Sequence, residues 1–175
     1  DRVAIMALNS DHYLTYYLAL PWAGLLANPV NFRWSVEEVI YSLNDSSSVA
    51  ILLDDSFARH AEALRAGCPS LRHLVFCGEA ACPPGMLSLE DLIAGHAPVA
   101  DTEAGDDDTF GVFYTGGTTG GTTGGEVGGI ICNPRRLSGL RRTCAPNAKT
   151  GRRPSSHSTP NAIEVLASLR CITLA

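Results

Sequence analysis

Short apolar runs alternate with capped, helix-like segments over residues 1–120, and few architectures accept that order. Val3–Leu8, Leu25–Val30, Val49–Leu53, His73–Cys77 and Thr109–Tyr114 read as strands. Each is a nearly continuous apolar run, as expected where both faces of a sheet are covered. Asn9-Ser10-Asp11 is a capping cluster before a helix from Tyr13 to Leu20, apolar on most sides and so largely buried. Ser35, followed three residues later by Glu38, makes a capping box for a helix through Leu43. Val36, Val39, Ile40 and Leu43 lie on one face of that helix. A third helix, Ser56–Ala66, is closed by Gly67 and followed by Pro69. Ser88–Ala94 is a short fourth, and 98–108 reads as an acidic surface linker.

Strands alternating with helices imply an α/β fold, a mostly parallel sheet with flanking helices and right-handed crossovers. Such sheets bind ligands beyond the carboxyl ends of their strands. The loop after Tyr114 is therefore the place to look for function.

That loop reads Tyr114-Thr115-Gly116-Gly117-Thr118-Thr119-Gly120. Its glycines let backbone approach an anion closely, and its threonines bring hydroxyl donors. Consecutive amides there can form an anion-binding nest. No Gly-Lys-Ser/Thr closes it, so it is not the Walker loop. Gly/Thr repeats also make flexible linkers, and composition alone does not separate the two readings.

The wider sequence resembles the adenylate-forming acyl- and aryl-CoA ligases, also called AMP-binding enzymes. Phe113-Tyr114-Thr115-Gly116-Gly117-Thr118-Thr119-Gly120 is similar to the first half of their phosphate-loop signature. Asp1-Arg2-Val3-Ala4-Ile5 resembles their opening strand. The stretch from Asn28-Pro29-Val30-Asn31 to Ser35 resembles a Pro-(Leu/Val)-Asn segment of the family, and Tyr41–Ser46 the helix end after it. The blocks agree in order and spacing over residues 1–120, and the fatty-acyl-CoA ligase branch is the nearest in character. The resemblance implies a partial AMP-binding α/β domain over 1–120. It also implies a small-molecule carboxylic acid activated by ATP and Mg2+ to an acyl-adenylate, with coenzyme A as acyl acceptor. Thr115, Thr118 and Thr119, with the amides of Gly116, Gly117 and Gly120, would hold the β- and γ-phosphates.

The signature ends early. The family continues with a variable residue, then Lys-Gly and an apolar strand. Here Gly121-Thr122-Thr123-Gly124-Gly125-Glu126-Val127 puts Thr123, or in the duplicated register Val127, where the lysine belongs. Lys149 is the only lysine in the chain. Phosphates bound by such a loop lack its fixed positive charge.

Charge changes at the same point. Residues 1–120 carry 5 basic and 16 acidic side chains, a net −11, whereas 121–175 carry 8 and 2, a net +6. Residues 121–175 form a basic tail with weak periodicity before Ile163–Leu169 and are expected to be an out-of-frame segment. Arg135-Arg136, Arg141-Arg142 and Arg152-Arg153 suggest an anionic partner. No aromatic residue follows Tyr114 to stack on bases, and no nucleic acid is expected.

The expectation is a truncated acyl-CoA synthetase-like chain, inactive alone, beginning inside a larger gene product. The alternative is a non-catalytic nucleotide- or anion-binding α/β module with a basic interaction tail. If downstream strands complete the sheet, the strand ending at Tyr114 has an exposed edge. The amino terminus has no signal-peptide pattern, and no apolar run approaches the roughly 18 residues of a transmembrane segment, so a cytoplasmic location is expected. The six cysteines match no zinc or disulfide framework. Asp54-Asp55 ends a strand, where a ligand role competes with a loop role.

Overall fold

The computed structural model describes residues 1–97, 99–102, 108–115 and 128–132. Seven strands form one sheet: β1 (Arg2–Met6), β2 (Leu26–Pro29), β3 (Ala50–Leu53), β4 (His73–Phe76), β5 (Leu87–Ser88), β6 (Gly111–Thr115) and β7 (Gly128–Cys132). Their order across the sheet is β5-β4-β3-β1-β2-β6-β7. Every pairing is parallel except that of β6 with β7. The α/β architecture expected from the alternation is the one observed.

Helices α1 (Asp11–Trp22) and α4 (Leu89–Gly95) cover one face, α2 (Val36–Asp45) and α3 (Ala61–Gly67) the other. This division follows from topology. The chain steps from β1 to β2 in one direction and from β2 through β3 to β4 in the other, so a single crossover hand puts the helices on opposite faces. Alternate strand residues then enter alternate cores. Val3, Ile5, Ala27, Ala50 and Leu52 pack with Tyr16, Ala19 and Leu20 of α1, whereas Ala4, Met6, Ile51 and Leu53 pack with Val39, Leu43 and Leu64 of α2 and α3.

Local chemistry sets the helix starts. Ser10 Oγ accepts from Tyr13 N, and Ser88 Oγ from Asp91 N. Ser35 and Glu38 form the full capping box, with Ser35 N donating to Glu38 Oε2 at 2.7 Å.

Several boundaries and environments differ from the sequence reading. The segment read as one helix from Ser56 begins as a 3-10 turn, Ala58–His60, before α3. Asp54 imposes this: Ser56 N donates to its Oδ1, and Phe57 N and Ala58 N to its carbonyl. Gly67 does not close α3 in a left-handed conformation but is its last helical residue. Its missing side chain serves packing, because a Cβ there would lie 2.6 Å from Ile40 Cδ1 of α2. Helix α1 is less buried than its composition implies: Leu14, Leu18 and Trp22 face outward, at 62%, 49% and 42% exposure. The described part of the acidic linker is tied down, since Thr102 N donates to Trp22 O and Trp22 Nε1 to Val99 O.

Strands β5 and β7 have no counterpart among the strands expected from the sequence. β5 is two residues long and leads directly into α4. β7 lies within the stretch read as a basic tail and pairs along all of β6, from Gly111↔Cys132 to Thr115↔Gly128. The edge of β6 is therefore paired, contrary to the bare edge expected at Tyr114.

A candidate anion site at the carboxyl edge of the sheet

The parallel strands β1, β2, β3, β4 and β6 end on one edge of the sheet, at Met6, Pro29, Leu53, Phe76 and Thr115. Two carboxylates stitch the neighbouring turns. Asp54 Oδ2 accepts from Leu8 N at 2.7 Å, joining the turns after β3 and β1. Asp55 accepts from Glu79 N at 2.8 Å and Ala80 N at 3.1 Å, joining the turns after β3 and β4. Asp54-Asp55 is thus spent on backbone amides, which decides its role in favour of the loop. Nearby Cys77 is buried, and burial together with the charge of Asp54 pushes its thiol up to about 12. Cys68 and Cys82 are likewise free. No group of three His, Cys, Asp or Glu side chains is arranged to hold a metal among the described residues.

The end of β6 is held by other means. Gly111 sits so close to β2 that a Cβ would run into the carbonyl oxygen of Ala27. Ala27 N donates to Phe110 O at 3.0 Å, and Ala27↔Gly111 is the one register pair between these strands. The next donor on this side of β2 would be residue 29. That residue is proline and has no N–H. Ala27↔Gly111 is not followed by a second register pair, and side-chain contacts add to the hold on β6.

On one face, Phe113 stacks with Phe110 and with Tyr17 of α1. On the other, Tyr114 Oη donates to Asp45 Oδ2 at 2.6 Å, and its ring meets Trp34 edge-on at 6.4 Å between centroids. Burial, followed by the hydrogen bond and charge of Asp45, raises the Tyr114 phenol well above its ordinary value. It therefore remains a donor at any physiological pH.

Asp45 is the last residue of α2, where a negative charge opposes the helix dipole at a cost of about 0.3–1 kcal/mol. Its contact with Tyr114 offsets that cost. The helix end is also anchored from beneath. Asn28 Nδ2, fully buried on β2, donates to Ser46 Oγ at 3.0 Å and Ser48 Oγ at 3.1 Å. Tyr114, Asp45 and Asn28 are not among the site residues expected from the sequence. The available signal was an aspartate at the wrong end of a helix.

Of the sequence-predicted site residues, Thr115 ends β6, paired with Gly128 across the hairpin. Gly116, Gly117, Thr118, Thr119 and Gly120 lie outside the described residues, as do Thr123 and Val127. The hairpin nonetheless fixes where that connection starts and returns: it leaves β6 and comes back to β7 at the carboxyl edge. A profile for AMP-binding enzymes matches residues 1–124, through the duplicated Gly-Thr-Thr-Gly block.

The chain belongs to the AMP-binding enzyme family.

It shares 28% identity over 125 residues with a medium-chain-fatty-acid–CoA ligase of Ectopseudomonas oleovorans, covering 68% of this chain and 23% of that protein. The solved structure of the anthranilate CoA ligase AuaEII in complex with anthranoyl-AMP superposes at TM-score 0.67 with 25% identity, over 76% of this chain and 25% of that one. ATP-bound MatB from Rhodopseudomonas palustris superposes at TM-score 0.62 with 29% identity, over 79% of this chain and 25% of its own. This AMP-binding chain thus spans about a quarter of the length of these relatives. The family match runs four residues past the 120 boundary drawn from the sequence.

Proposed function

We propose that this chain is the polyphosphate-holding part of an ATP-dependent, carboxylate-activating ligase. Thr115, Thr118 and Thr119 and the amides of Gly116, Gly117 and Gly120 would hold the β- and γ-phosphates. The observation that carries this reading is the exit of the Gly-Thr connection from β6 at the carboxyl edge of a parallel sheet, in a chain of the AMP-binding family. Hydroxyl and amide donors fit an anion there. Mg2+ would arrive on the nucleotide and screen its charge. The carboxylate would attack the α-phosphate of ATP, releasing pyrophosphate and leaving an acyl-adenylate, and the coenzyme A thiol would then take the acyl group and release AMP. The name of the matched medium-chain ligase favours a fatty acid.

One feature favours binding without turnover: neither Thr123 nor Val127 supplies the cation the loop signature calls for. Calorimetry with MgATP tests the proposal. Wild-type chain is expected to bind, and Thr118→Val with Thr119→Val to weaken binding at least about tenfold, since two hydroxyl donors are lost. Carboxylate-dependent ATP–pyrophosphate exchange should be absent. Equal affinity in the double variant sinks the assignment of the loop, and measurable exchange sinks the claim of no turnover.

A further inference from the structure

The last turn of α2 and the end of β6 meet through a contact that neither element needs for its own formation. Asp45 lies where the helix dipole disfavours it, in a helix with no basic residue in its last turn. Tyr114 reaches it from the residue immediately before Thr115. Beyond Gly111, Pro29 offers β6 a carbonyl but no N–H, so the pairing with β2 loses its next donor. The antiparallel partner β7 pairs with β6 on its other side, away from β2. Tyr114 and Phe113 are thus the described side chains that fix the hairpin's free end against the sheet. Of these, only Tyr114 makes a directional bond. The bond is short, accepted by a carboxylate, and backed by the Asn28–Ser46–Ser48 cluster that immobilises the end of α2.

We propose that Tyr114 and Asp45 form a latch fixing the stem of the Gly-Thr loop, which makes Tyr114 a positioning residue for the anion the loop takes. The proposal rests on the anion-binding reading of that loop. A nest of backbone amides holds phosphate only while its donors converge, and a stem that swings freely scatters them.

The test uses the full chain and MgATP. Tyr114→Phe keeps the ring against Trp34 and removes only the hydroxyl. Asp45→Ala removes the carboxylate acceptor and leaves only Ser46, whose side chain also bonds the Tyr114 hydroxyl, whereas Asp45→Asn retains an amide oxygen. Amide hydrogen exchange is read without nucleotide, and the MgATP Kd is read separately. Tyr114→Phe and Asp45→Ala are expected to speed exchange in peptides covering 111–127 by about tenfold and to raise the Kd by a similar factor, with β1 and β3 unchanged. Asp45→Asn should recover most of both. Wild-type exchange in Tyr114→Phe, or acceleration spread evenly over the sheet, overturns the latch. If the wild-type chain does not bind MgATP, the nucleotide reading fails, and the exchange comparison still decides whether the latch holds the stem.

Discussion

At the scale of single residues, the most consequential group is one hydroxyl. Tyr16 is completely buried in α1, and its Oη donates to Val3 O at 2.7 Å while accepting from Asn28 N at 2.8 Å. It stands inside the ladder between β1 and β2, replacing a direct backbone bond and tying the helix to both strands. Burial holds its phenol far above the ordinary value, so the group does not ionise. Tyr16→Phe leaves a buried carbonyl and a buried amide without partners and should destabilise the chain by about 2–4 kcal/mol. Urea unfolding checks this, and a loss below about 0.5 kcal/mol contradicts it. Nothing in the aromatic run Tyr13–Tyr17 marks Tyr16 out, because its partners lie in two other elements. Ser10, Ser35 and Ser88, by contrast, were legible as caps, since a cap and its recipient amide are at most three residues apart.

At the scale of elements, the same distinction separates what the sequence disclosed from what it did not. Strands β1 to β4 and β6 were visible as apolar runs, and α2 as a capped, one-faced helix. β7 was not visible, because Gly128-Gly129-Ile130-Ile131-Cys132 is too short and glycine-rich to signal a strand, and its existence depends on the open edge of β6. The 3-10 turn before α3 depends on Asp54, whose two functions lie in different loops. β6 in turn depends on Gly111. Gly111→Ala forces a methyl group against the Ala27 carbonyl and should push β6 off β2, at a cost of about 1–3 kcal/mol. Faster exchange of the Ala27 amide, which donates to Phe110 O, is the expected sign. An unchanged Ala27 amide in the folded variant would show that the close approach is dispensable.

At the scale of the whole molecule, the fold was legible because a parallel sheet writes itself locally, each strand an apolar run and each crossover a capped helix, and the family was legible only through the motif resemblance that ends at Gly120. The site was only half legible. The Gly-Thr loop stands out in the sequence, but its stem is assembled from β2, α2 and β6, whose shared residues Asn28, Asp45 and Tyr114 are far apart in the chain. The net −11 of residues 1–120 sharpens the question, because on the proposed function a loop without its lysine would have to hold a polyanion on an acidic body. Amide donors and the nucleotide's own Mg2+ would take the place of that lysine. Hydrogen-exchange footprinting of the full chain with and without saturating MgATP tests this most directly. Protection is expected to concentrate in peptides covering 114–127, with none around Arg59 and Arg65 of the 3-10 turn and α3. No protection at 114–127, or protection centred on those arginines instead, contradicts it.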